Sequence, residues 1–111
     1  MSDLDFKKRC EESKRIMSKY PDRIPVIVNK NNRSNIRDID KKKYLVPQDM
    51  NIGQFTYIIR KNLKLDKSEA LFVTINNRLI PTNNPISEIY KNHKNDDGFL
   101  YVVYSSENTF G

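Results

Sequence analysis

The sequence predicts an α+β domain, and three observations predict it. Two stretches, 4–20 and 51–64, repeat their apolar residues at helical spacing. Short apolar runs at 23–28, 42–47, 70–75 and 99–104 read as strands. Turn-forming residues separate them, with Asn76-Asn77 and Asn95-Asp96-Asp97-Gly98 the clearest. A chain of 111 residues fits one compact unit. Its apolar content of 37%, with six Tyr and five Phe, is lean but sufficient for a core.

Residues 4–20 carry Phe6, Cys10, Met17 and Tyr20 on one stripe, with Ser13 at the same spacing. Glu12 and Ile16 form a second row beside it, and Pro21 ends the helix. In the run from Arg23 to Val28, Ile24, Val26 and Val28 share one face, and Pro25 and Ile27 the other. Pro25 cannot donate to a ladder, so it belongs near the strand start or at a non-bonded position. Asn29 to Asn35 reads as a turn. In the run from Lys42 to Pro47, Lys43 and Leu45 share one face and Tyr44 and Val46 the other. Both strands carry apolar groups on both faces, as in a sheet covered on two sides.

Asn51 is placed to cap the second helix, whose apolar face is Ile52, Phe55, Ile59 and Leu63, with Ile58 alongside. Ala70 to Ile75 is a strand, followed by the Asn76-Asn77 turn and a short strand at Arg78 to Ile80. Pro85 starts a helical turn that runs to about Asn92. Phe99 to Tyr104 is the most continuous apolar run and reads as a central strand. The order is that of a β-grasp, or ubiquitin-like, domain with an added N-terminal helical segment. A hairpin is followed by a crossing helix and, last in sequence, a strand in the middle of the sheet.

Charge and rare residues narrow the function. Twenty basic against fourteen acidic side chains give +6, which favours an acidic partner without choosing one. A single Cys and a single His leave no disulfide framework or Cys-rich metal cluster. The charged N-terminus has no signal-peptide apolar core, and no apolar run is long enough to cross a bilayer. Cys10 reads as a small core side chain and His93 as a solvated or capping histidine. With no phosphate loop, nucleophile elbow or metal spacing, the chain reads as no enzyme, without catalytic residues, cofactor or metal.

An RNA-binding module is a rival, since Gly98-Phe99-Leu100-Tyr101 partly matches an aromatic strand motif that stacks bases. Asp97 and Leu100 depart from it, and only seven residues follow Tyr104, where a further helix and strand belong. Two other features point elsewhere. As an edge strand, Lys41 to Pro47 offers backbone groups to which an extended peptide can add; its lysines are equally ordinary protection against aggregation. A terminal Gly111 has no side chain, so a narrow enzyme channel can grip the backbone and activate the carboxylate.

Five stretches carry a resemblance over nearly the whole chain, from Phe6 to Gly111. They are Lys19-Tyr20-Pro21-Asp22-Arg23-Ile24-Pro25-Val26-Ile27-Val28, Asp40 to Pro47, Ile52-Gly53-Gln54-Phe55 through Lys61, Ala70-Leu71-Phe72, and Asp97-Gly98-Phe99-Leu100-Tyr101 onward. Together they resemble the autophagy ubiquitin-like modifiers of the GABARAP type. The resemblance implies conjugation of Gly111 to phosphatidylethanolamine by dedicated activating and conjugating enzymes. A cysteine protease would process or delipidate the chain. It implies a cytoplasmic protein, held on autophagosomal and vesicle membranes when lipidated, that recruits cargo receptors through W/F/Y-x-x-L/I/V peptides; no nucleic acid is expected.

The first pocket, for the aromatic, then maps onto Glu12, Ile16, Pro25, Ile27, Lys43, Leu45 and Phe99. The second, for the aliphatic residue, maps onto Tyr44, Val46, Pro47, Met50, Phe55 and Ile58. Arg23, Lys41, Lys43 and Arg60 would meet the peptide's acidic flank. Asn62 departs from the family, which has a basic residue there. The chain divides into a helical extension (1–22), the ubiquitin-like domain (23–104) and a flexible conjugation tail (105–111). The same fold as an unconjugated adaptor in vesicle trafficking is the alternative.

Overall fold

A computed structural model describes residues 3–107. Its elements are α1 (Asp3–Lys19), β1 (Arg23–Lys30), β2 (Lys43–Pro47), α2 (Ile52–Leu63), β3 (Phe72–Ile75), β4 (Arg78–Leu79), α3 (Ile86–His93) and β5 (Leu100–Ser105). The five strands form one sheet in the order β2-β1-β5-β3-β4. β1 and β5 run parallel, and the other neighbours are antiparallel. The last strand lies in the middle, as in the β-grasp fold expected.

Local chemistry sets most of the boundaries. The Asn51 side chain accepts from the Gln54 N–H at 2.8 Å, and Gln54 Oε1 accepts from the Asn51 N–H at 2.9 Å. This reciprocal cap starts α2. The turn between β3 and β4 has φ of 52° at Asn76 and 63° at Asn77, the left-handed pair that tight hairpins need. Pro85 lies one residue earlier than expected, at the cap position, with extended backbone, so α3 begins at Ile86. β1 runs on through Asn29 and Lys30, where the sequence predicts a turn. The reason is tertiary: they register with Val103 and Tyr104 of parallel β5.

The main core lies between the sheet and α2. Ile24, Val26 and Val28 of β1 meet Tyr44 and Val46 of β2, Phe55 and Ile59 of α2, and Leu100, Val102 and Tyr104 of β5. Phe55 is fully buried, edge-on to Tyr44 with ring centroids 5.3 Å apart. Two core residues, Ile36 and Ile39, come from the irregular loop after β1, which has no periodicity to betray them. Tyr104 pins that loop: its hydroxyl donates to the Arg37 carbonyl at 3.0 Å and accepts from the Ile39 N–H at 2.9 Å.

α1 packs against β1 by a different logic. Its expected apolar stripe is only partly used, because Phe6 and Tyr20 are exposed, and Cys10 and Met17 are half-buried. Ser13 is the buried point of contact, donating to the Asp97 carbonyl at 2.6 Å. The approach is so close that a Cβ on Gly98 would lie 2.3 Å from Ser13 Oγ, and Gly98 also has φ of +89°. The buried Asp97 carboxylate accepts from Arg9 Nε at 3.0 Å, from the Phe99 N–H at 2.9 Å and from the Tyr101 hydroxyl at 2.5 Å. A polar clasp, rather than an apolar stripe, fastens this helix.

That clasp predicts an acid sensitivity. Burial pushes the Asp97 carboxyl up, but the bonds from Tyr101, the Phe99 N–H and Arg9 outweigh it and hold Asp97 below its ordinary range. Burial and the bond to Asp97 push Tyr101 up to about 12. A depressed carboxyl contributes stability that is fully present above the unfolded value of ~3.9 and is lost as pH falls through the folded value. Asp97→Asn should therefore lower stability at neutral pH by ~1–3 kcal/mol and flatten the acid limb of a stability–pH profile. A variant profile parallel to wild type below pH 4 would contradict this.

Candidate functional site

β2 is an edge strand, and its register says which backbone groups are free. The Val28 N–H donates to the Lys42 carbonyl at 2.8 Å. Alternation then turns the Tyr44 and Val46 backbones toward β1 and those of Lys43 and Leu45 outward. Pro25 stands opposite Leu45, so its missing N–H removes no bond to β2.

The two side-chain faces of β2 differ. On the α1 side, Leu45 lies across from Pro25 and Lys43 from Ile27. Leu45 is 39% exposed. Ile16 of α1 and Ile27 are half-buried, while Pro25 and Phe99 are buried. One step back along the parallel register sets Phe99 level with Pro25, as a floor. Lys43 Nζ bonds both carboxylate oxygens of Glu12 at 3.0 Å, which closes the rim between α1 and β2. The register puts Pro25, Ile27, Lys43, Leu45 and Phe99 on one face, and Ile16, Ile27 and Leu45 are the partly exposed apolar residues among the seven expected in the first pocket.

On the α2 side, three of the six residues expected in the second pocket are core. Phe55, Val46 and Tyr44 are 0%, 3% and 7% exposed, so they support the surface from beneath. Pro47, Met50 and Ile58 are half-buried. The Tyr44 hydroxyl accepts from Asn62 Nδ2 at 2.7 Å, and burial raises its pKa despite that bond. Asn62 thus has a partner in the site that its sequence position did not signal.

The basic flank is smaller than expected. Arg23 is exposed and donates to the outward Leu45 carbonyl at 3.3 Å. Lys41 Nζ sits 4.8 Å from the Tyr44 ring centroid. Arg60 does not join them. Its guanidinium donates to the Glu69 and Asp66 carbonyls at 2.9 and 2.8 Å, closing the turn after α2. Gly111, the expected conjugation residue, and the tail from 108 onward lie outside the described residues.

Other sequence candidates fall away from this edge. His93 Nδ1 lies 3.2 Å from Asn76 Nδ2 at the far side of the sheet. Phe99 is only 1% exposed, so it offers no ring face for stacking a base. Among the described residues, no helix is long and apolar enough to cross a membrane.

Comparison with known proteins agrees with this geometry. A family model described as "Autophagy protein Atg8 ubiquitin like" matches residues 8–111. Autophagy-related protein 8e of Arabidopsis thaliana is 55% identical over 109 residues, covering 98% of this chain and 89% of the relative. Autophagy-related protein 8 of Schizosaccharomyces pombe is 57% identical over 109 residues, covering 98% and 90%. The crystal structure of Trypanosoma brucei ATG8 superposes with a TM-score of 0.87 at 40% identity, covering 96% of this chain and 91% of that one. The chain therefore belongs to the Atg8 family of ubiquitin-like autophagy proteins.

Proposed function

We propose that this protein is a ubiquitin-like modifier, joined through Gly111 to phosphatidylethanolamine, that recruits cargo receptors by adding their W/F/Y-x-x-L/I/V segments to β2. It acts as a scaffold rather than as an enzyme. Its partners are the activating and conjugating enzymes, a processing and delipidating cysteine protease, and receptors on autophagosomal and vesicle membranes.

One observation carries the peptide reading: β2 is a free edge with a different reachable apolar surface on each face. Side chains of an extended peptide alternate between faces, so residues i and i+3 point to opposite sides. An aromatic at i then meets Ile16, Ile27 and Leu45, while an aliphatic residue at i+3 meets Pro47, Met50 and Ile58. The outward groups of Lys43 and Leu45 supply the ladder bonds. An incoming N–H takes the Leu45 carbonyl from Arg23, and the released guanidinium is then available to an acidic flank.

Apolar burial dominates this scheme, because Arg23, Lys41 and Lys43 are exposed and each such pair contributes only ~0.2–1 kcal/mol. Raising salt from about 0.15 to 1 M shortens the screening length from ~8 to ~3 Å. The affinity of an acidic W-x-x-L peptide, measured by titration calorimetry, should fall by less than about tenfold. A collapse of binding at high salt would overturn the apolar assignment.

A further inference from the structure

A second cleft lies at the C-terminal end of β1 and reaches Lys42, just before β2. This cleft of about 580 Å³ is lined by Asn29, Lys30, Arg33, Asp38, Lys42 and Val103 among others. Three cations and one carboxylate line it. Asp38 is largely solvated, with its side chain 80% exposed, and its pair with Lys30 spans 3.4 Å. Such a pair is weak and yields to a stronger anion.

The cleft is tied to the root of the C-terminal tail. β1 and β5 are parallel, so Lys30 and Tyr104 end together. The Asn31 N–H donates to the Tyr104 carbonyl at 2.9 Å. Ser34 Oγ accepts from the Ser106 N–H at 3.2 Å and lies 3.1 Å from Ser106 Oγ. Gly111 is six positions beyond Ser105, so even a fully extended chain keeps it within about 20 Å of this end of the sheet. A lipid joined there would hold the cleft near the bilayer surface.

We propose that this cleft binds the phosphorylated inositol headgroup of an anionic lipid in the membrane that carries the chain. This rests on the conjugation reading for its setting, though not for its chemistry. Lys30, Arg33 and Lys42 face the phosphates. The Asp38 carboxylate and the asparagine amides suit the ring hydroxyls, which a bare patch of positive charge would leave unmatched. The volume suits one headgroup rather than a peptide strand.

The test uses the full, unconjugated chain, so its result is independent of Gly111. Vesicles of phosphatidylcholine alone are compared with vesicles containing phosphatidylserine or a phosphorylated phosphatidylinositol at matched surface charge. Wild type should prefer the inositol lipid at least about fivefold, roughly the contribution of one well-placed cation at a charged surface. Lys30→Gln/Arg33→Gln/Lys42→Gln should lose about a hundredfold, for three such cations at ~1 kcal/mol each. Lys61→Gln/Lys67→Gln/Lys91→Gln, of equal net charge, should lose little.

A soluble inositol phosphate added to wild type should shift amide resonances around 29–33, 38 and 42, which needs no variant to fold. Equal loss in both triple variants, equal binding to both anionic vesicles, or shifts elsewhere would overturn the site. A chain that is conjugated yet ignores the inositol lipid fails this proposal alone. One that binds the lipid yet is not conjugated fails only the modifier reading.

Discussion

Leu45→Asp is expected to weaken an acidic W-x-x-L peptide at least about a hundredfold, a loss of ~2.7 kcal/mol or more, while the domain stays folded. Burying a leucine contributes about 1.5–3 kcal/mol, and an aspartate there would be desolvated against the aromatic and close to the peptide's own acids. Folding should tolerate the change because Leu45 is 39% exposed and outside the main core. Titration calorimetry reads the affinity, and an unchanged circular dichroism melt reads the fold. Ile16→Asp, from the opposite wall, should act in the same direction. Normal affinity in either variant would remove the groove on the α1 side.

Phe55→Ala should act through stability, with a loss of ~3–5 kcal/mol by urea unfolding. Phe55 is fully buried and edge-on to Tyr44, so truncation leaves a cavity beneath β2. Domains of this kind hold only ~5–15 kcal/mol in total, so the loss is a large fraction. Any loss of peptide binding should then follow the unfolded fraction. Unchanged stability with lost affinity would instead make Phe55 a contact surface. The residues expected in the second pocket thus divide into buried Tyr44, Val46 and Phe55 and half-buried Pro47, Met50 and Ile58.

What the sequence disclosed follows from period and punctuation. Alternation along Lys43-Tyr44-Leu45-Val46 assigned both faces of β2 correctly, and the exposed Leu45 is where that alternation met solvent. Asn51 and the Asn76-Asn77 pair announced a cap and a turn through their own backbone chemistry. What stayed hidden depends on distant partners. Asn29 and Lys30 are strand only because β5 runs beside them. Ile36 and Ile39 are core because Tyr104 holds their loop in place. Ser13 is buried because Gly98 lets a turn come within reach. Arg60, expected to meet an acidic flank, is engaged by two carbonyls of the turn after α2. Charge and residue type name what a side chain can do; the fold decides whether it is already engaged.

The central claim is most directly tested by the intact mass of the protein after incubation with the family's activating and conjugating enzymes, ATP and liposomes containing phosphatidylethanolamine. The account predicts a mass gain of one lipid minus water in the wild type and none in Gly111→Ala. No gain in the wild type, with the same enzymes active on another family member, would contradict the modifier reading and leave a peptide-binding adaptor built around the edge beside Leu45.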